Sequence, residues 1–141
     1  DAKERVYEYK IINRGSNLVL NKNRAWLVKK ILDLNLLKKG ANILKGKHDF
    51  SAFRSSSCSA KSAVRKMNNI RVKKSGEVIL MEFKSQSFLQ NQVRSMVGCL
   101  KYLGEKKWSL KKFKDVLMLK KRSNCAPPAP AHGLYLVKIK Y

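Results

Sequence analysis

Residues 88–104, Phe-Leu-Gln-Asn-Gln-Val-Arg-Ser-Met-Val-Gly-Cys-Leu-Lys-Tyr-Leu-Gly, decide the reading of the fold. Within them Val93, Met96, Val97, Leu100 and Leu103 recur at helical spacing, a stripe that turns one side of a helix towards a core. The pattern predicts a helix within Phe88–Gly104, closed by Gly104. Downstream, Ser109 is placed as an N-cap for a helix to about Lys121, with Leu110, Phe113 and Leu117 on its inner face. Upstream, Asp33 caps a third helix carrying Leu34, Leu37, Ala41 and Leu44. Gly46 falls where a helix C-terminus favours positive φ.

The remaining segments alternate with period two. Arg5–Ile12 is rich in β-branched and aromatic residues and predicts a strand, closed by a turn at Asn13-Arg14-Gly15-Ser16. Arg65–Lys74 and Glu77–Lys84 flank Ser75-Gly76, with Ile70, Val72, Ile79, Met81 and Phe83 keeping the alternation of a hairpin. After a proline-punctuated loop at Ser123–Gly133, Leu134–Tyr141 forms a last strand. Leu18–Ile31 shows no assignable pattern, and 47–61 predicts a short turn followed by an exposed basic loop. Strands and helices alternate irregularly, so the expected class is α+β, a mixed, mostly antiparallel sheet packed with helices.

Composition narrows the partners. The 141 residues make one domain, and the 44% hydrophobic content supports a core. Lys plus Arg number 32 against 9 Asp plus Glu, a net charge of +23. Such an excess points to a polyanion, most often nucleic acid. Cys58, Cys99 and Cys125 are scattered and odd in number, and the two histidines, His48 and His132, stand alone. No metal is expected, and the thiols are read as reduced, in a cytoplasmic protein. No apolar run reaches the roughly 20 residues of a membrane span.

Arg94 is the most informative single residue. It sits at the edge of the apolar stripe, where its stem can lie over apolar neighbours or its guanidinium can be partly desolvated and call for a carboxylate. Asp33, Asp49 and Asp115 have ordinary uses as a cap, a turn residue and a solvated helix charge, so a partner for Arg94 is expected outside this sequence. Tyr7 and Tyr9 share one side of their strand, as core residues or as a platform for an unstacked base. Arg54, Lys61, Arg65 and Lys66 cluster around a Ser-rich loop, a placement suited to RNA phosphates. The Lys-Lys pairs at 29–30, 38–39, 106–107, 111–112 and 120–121 are placed on helix surfaces, where solubilising the chain explains them equally well. Asp49 and Ser51 lack a base and an oxyanion motif, so no nucleophile is assigned there. Cys99, in the apolar helix, is read as a small core residue.

Four ordered segments together resemble the tRNA pseudouridine synthase A family: Ala2–Tyr9; Gly46-Lys47-His48-Asp49-Phe50-Ser51-Ala52-Phe53-Arg54; Phe88-Leu89 with Val93-Arg94 and Val97-Gly98; and Ala129-Pro130-Ala131-His132-Gly133-Leu134-Tyr135-Leu136. They cover nearly the whole chain. Gln92 and Gln86 depart from the methionine and asparagine usual there.

The resemblance implies an isomerase that converts uridine to pseudouridine in the tRNA anticodon stem-loop, without metal or organic cofactor, in a homodimer whose tRNA contacts both subunits. It implies that Tyr7 stacks on the target base, that Arg94 pairs with a nucleophilic aspartate, and that Phe88 and Leu89 are the apolar, substrate-binding residues beside that arginine. That aspartate belongs to a Gly-Arg-Thr-Asp-type motif, and none of Asp1, Asp33, Asp49 or Asp115 matches it. Residues 1–141 are therefore expected to be the C-terminal domain, inactive alone, of an enzyme whose nucleophile lies in a preceding domain. A stand-alone basic RNA-binding module is the alternative from another class, and a ribosome-associated basic protein a third. Neither of these requires Arg94 to sit in an apolar stripe.

Overall fold

A computed structural model describes residues 1–13 and 24–141. In chain order the elements are β1 (Glu4–Asn13), β2 (Trp26–Val28), α1 (Leu34–Leu44), β3 (Gly46–Asp49), β4 (Val64–Ser75), β5 (Val78–Ser85), α2 (Gln92–Gly104), α3 (Leu110–Leu119) and β6 (Leu134–Lys140), with 3-10 turns at Ser51–Phe53, Arg122–Asn124 and Ala131–Gly133. The strands form one mixed sheet in the order β2-β1-β5-β4-β3. β1 is long enough to serve three neighbours: β5 along one side, and on the other β6 against its first half and β2, in parallel, against its last three residues. The class is α+β, as the irregular alternation of patterns implied.

The sheet is apolar towards the helices. On β5 the buried residues Ile79, Met81 and Phe83 alternate with half-buried Val78, Leu80 and Glu82, and β4 adds Met67, Ile70 and Val72. The stripe of α2 closes the other side of this core, since Val93, Met96, Val97, Leu100 and Leu103 are all buried. Asp33 accepts from the Leu36 amide to start α1, and Ser109 accepts from the Lys112 amide to start α3. Each cap removes one of the unpaired amides at a helix N-terminus. Gly46 takes φ +90° as the chain leaves α1.

Several sequence expectations are corrected. The segment 47–61 is not simply a turn and an exposed loop: Gly46–Asp49 pairs with β4, and Phe50 and Phe53 are buried core residues. α2 begins at Gln92, inside the range the pattern predicts, whereas α3 stops at Leu119, two residues short of the expected end, where Lys120 turns left-handed. Lys29–Lys30, Lys106–Lys107 and Lys120–Lys121 are exposed but lie outside the helices. Asn13 is the buried last residue of β1 rather than a turn. Its amide donates to the Val28 and Lys30 carbonyls and its Oδ1 accepts from the Leu32 amide, stitching the chain beyond β2 to the sheet. The rest of the turn predicted at Asn13–Ser16 lies outside the described residues.

One close approach controls the side of α2 opposite the sheet. A Cβ on Gly98 would lie 2.1 Å from the Pro127 carbonyl oxygen, so the segment Cys125–Pro130 can lie on α2 only because residue 98 has no side chain. Gly98→Ala is expected to push that segment away and cost about 1–3 kcal/mol in chemical denaturation, the usual range for overpacking. The m-value should remain that of the wild type.

A candidate active-site cleft

β1 delivers Tyr7 to the edge of the core. Two residues on, Tyr9 is wholly buried, and its hydroxyl donates to the Pro130 carbonyl at 2.5 Å. Burial pushes the Tyr9 phenol up, against an opposing pull from the nearby Arg94 charge, so it stays neutral and donates. Tyr7 is only half-buried, and Phe88 meets its ring edge-on with centroids 5.1 Å apart. The two same-side tyrosines thus divide, one into the core and one at its rim.

Between β5 and α2 the chain makes the turn that shapes the site. The buried Ser85 hydroxyl donates to the Lys66 and Ser87 carbonyls. Asn91 takes a left-handed conformation, φ 65°, and caps α2 without a side-chain bond to a helix amide. Gln92 is fully buried, and its Oε1 accepts from the Leu89 amide at 2.9 Å, fixing the Leu89 backbone. Gln92, the departure from the family pattern, therefore fills a structural position.

Arg94 is clamped at both levels. Its Nε donates to the Ala129 carbonyl at 2.8 Å, the Ala129 amide donates back to the Arg94 carbonyl at 2.9 Å, and Nη1 reaches Asn91 Oδ1 at 3.3 Å. Nη2 has no hydrogen-bond partner among the described residues. Tyr7, Phe88, Leu89, Asn91, Arg94 and Leu134 line one cleft of about 200 Å³. An aromatic rim thus stands beside an oriented guanidinium. All nine Asp and Glu residues fall within the described residues, and none lines this cleft. Asp33 is a cap, Asp115 pairs with Lys111 at 3.0 Å, and Asp49 accepts from the Ser51 hydroxyl and amide, which hold its carboxyl below its usual range.

The other cationic candidates lie elsewhere. Nη2 of Arg54 donates to the Cys58 and Ala60 carbonyls at 3.0 and 2.8 Å, which folds the Ser-rich loop around this side chain. Arg65 donates to the Ser62 and Val64 carbonyls, while its buried Nε has no partner among the described residues. Lys61 and Lys66 are exposed. None of the four lines the Tyr7–Arg94 cleft. Asn91, Gln92, Ala129 and Leu134 build the cleft, and periodicity alone could not single them out. A non-glycine left-handed residue is invisible in sequence, and Ala129 reaches Arg94 from 35 residues away. Cys99 is buried, as its place in the stripe implied, with its sulfur 3.4 Å from that of Cys125. No group of His, Cys, Asp and Glu among the described residues could hold a metal, and no described helix is long and apolar enough to cross a membrane.

Comparison with known proteins places this geometry in context. Residues 41–141 match a family model described as tRNA pseudouridine synthase. The chain is 56% identical over 140 residues to a tRNA pseudouridine synthase A of Pelagibacter ubique, covering 99% of this chain and 57% of that protein. It is 43% identical to one of Parvibaculum lavamentivorans and 44% identical to one of Ehrlichia canis, with the same coverage. The chain thus spans a little over half the length of the curated relatives it matches.

Proposed function

Because the chain belongs to the tRNA pseudouridine synthase family, we propose that it supplies the base-cradling half of an enzyme that isomerises uridine to pseudouridine in the tRNA anticodon stem-loop. One observation carries this reading: Arg94 is oriented by three protein contacts beside an aromatic rim, in a cleft that no carboxylate of the chain lines. A fixed guanidinium fork without an anion is complementary to a carboxylate. In this reading residues 1–141 act as the C-terminal domain, and the nucleophilic aspartate comes from a part of the longer protein outside this sequence.

The target uridine must leave its stack, which costs a few kcal/mol. Tyr7 receives the extruded base, with Phe88 and Leu89 closing the apolar wall. The aspartate, paired with Arg94, attacks the target nucleotide, and the bond between N1 and C1′ breaks. The uracil turns in the cradle, C5 bonds to C1′ and the aspartate is released as a carboxylate, and the proton that C5 gives up is balanced by one taken up at N1. No metal or organic cofactor takes part. The reaction takes place in the cytoplasm, on tRNA held largely by the excess positive charge.

β6 supports a larger assembly. Leu136, Val137 and Ile139 on β6, and Tyr141 just after it, are exposed by between 37% and 77%, and the strand pairs only with β1 among the described elements. In our reading the rest of the polypeptide covers this strand, and two copies of the longer protein form the working homodimer.

Incubating the longer protein with unmodified tRNA, then mapping pseudouridine by carbodiimide adducts and primer extension, tests the reading. New adducts confined to the anticodon stem-loop are expected. Adducts only elsewhere in the tRNA would overturn the assigned target, and none at all would move the weight to a binding module without catalysis.

A further inference from the structure

On the far side of Asn91 from the cleft lies a second cavity of about 360 Å³. Its walls are the loop after the Ser51–Phe53 turn, carrying Arg54, Ser55 and Ser56, and the Arg122–Asn124 turn with the proline segment that follows. Asn91 lines both cavities, so they are neighbours along one surface. The charged side chains lining the second one are Arg54 and Arg122, and no carboxylate lines it. Arg54 spends Nη2 on the Cys58 and Ala60 carbonyls, which fixes the plane of its fork, and its charge is felt by the Cys58 thiol and the Asp49 carboxylate, neither of which lines the cavity. Arg122 is exposed, and its side chain makes no hydrogen bond or ion pair among the described residues. Two guanidinium groups lining one polar cavity repel each other, and an anion between them removes that cost.

We propose that this cavity binds a backbone phosphate of the RNA, next to the nucleotide extruded into the Tyr7 cleft, with Arg54 and Arg122 as the two forks and the Ser55–Ser56 hydroxyls as further donors. The proposal rests on the RNA-modifying reading of the neighbouring cleft. A phosphodiester fits better than a free phosphate because the cavity adjoins the base site: a chain with its base in the cleft carries phosphates past Asn91. The subsite holds the strand on one side of the extruded nucleotide, a positioning task separate from the chemistry at Arg94.

The test uses the longer protein and an anticodon stem-loop RNA, with binding read by fluorescence anisotropy against salt. Arg122→Gln is the informative variant, because the side chain is exposed and its loss leaves the thermal midpoint unchanged. Affinity is expected to fall about five- to tenfold, and the slope of log affinity on log salt to drop by about one. Arg71→Gln, an exposed arginine on β4, serves as the control and should leave the slope closer to wild type. In a second arm, single neutral methylphosphonate linkages are scanned along the loop. One linkage should weaken wild-type binding while costing Arg122→Gln less than twofold.

If wild-type binding is steeply salt-dependent but Arg122→Gln matches wild type, or every neutral linkage costs the two proteins equally, the subsite is wrong and the cleft reading stands. If inorganic phosphate at constant ionic strength shifts the Arg54 and Arg122 side-chain NMR signals while no neutral linkage matters, the ligand is free phosphate and the RNA assignment falls. If the wild type shows no salt-dependent RNA binding, the reading of the cleft has failed together with the subsite.

Discussion

Arg94→Ala is expected to abolish turnover in the longer protein while leaving it folded and able to bind tRNA. Among the described residues the side chain is the only cation lining the cleft, and its Nε and backbone are locked to Ala129. Removing it strands the incoming aspartate in a partly desolvated site, and leaving a buried charge without its partner costs about 3–5 kcal/mol. At 1.4 kcal/mol per decade, that is about two to four orders of magnitude in turnover. Binding to tRNA rests on many phosphate contacts and should change little. Arg94→Lys should recover only part of the loss, since lysine keeps the charge but not the planar fork. The measurement is single-turnover conversion beside equilibrium binding of the same tRNA. Near-normal conversion by Arg94→Ala would remove the assigned pairing.

Tyr7→Ala carries the second large effect. The ring is half-buried and meets Phe88 edge-on at 5.1 Å, so it is held upright without being part of the deep core. Losing one base–aromatic stacking contact costs about 1–3 kcal/mol, or about five- to 150-fold in kcat/KM. Stability should suffer less than at a fully buried position such as Tyr9, whose hydroxyl is tied to Pro130 and whose ring lies within 2.9 Å of where a Gly133 Cβ would stand. Comparing Tyr7→Ala with Tyr7→Phe separates the ring from its hydroxyl: phenylalanine should restore the affinity for tRNA that alanine loses. Unchanged kcat/KM in Tyr7→Ala would mean that another surface cradles the base.

How much of this was legible in the sequence follows from the range of each interaction. The stripe of α2 and the β4–β5 hairpin are local patterns with many repeats, and both appear where periodicity placed them. The Asp33 and Ser109 caps are equally local. β2 is three residues long and pairs in parallel with β1, which leaves no local signature. β3 is Gly-Lys-His-Asp, a polar edge segment whose strand form is imposed by β4. Phe50 and Phe53 are buried from within a serine-rich stretch because the Ser51–Phe53 turn folds them inward.

The site divides in the same way. Arg94 stands out because a charged residue at the edge of an apolar stripe demands an explanation, whereas strand alternation puts Tyr7 and Tyr9 on one side without separating them, and only the family resemblance singles out Tyr7. The clamp at Ala129, the left-handed Asn91 and the unpaired fork of Arg122 are products of tertiary structure, and only the folded chain brings them together.

The most direct test of the account is tritium release from tRNA labelled at uridine C5, run on this 141-residue chain and on the longer protein in parallel. The account predicts release by the longer protein alone, because the nucleophile that pairs with Arg94 is not among the nine carboxylates of this chain. Release by the 141-residue chain itself would contradict it, since one of those carboxylates would then have to reach the Tyr7–Arg94 cleft.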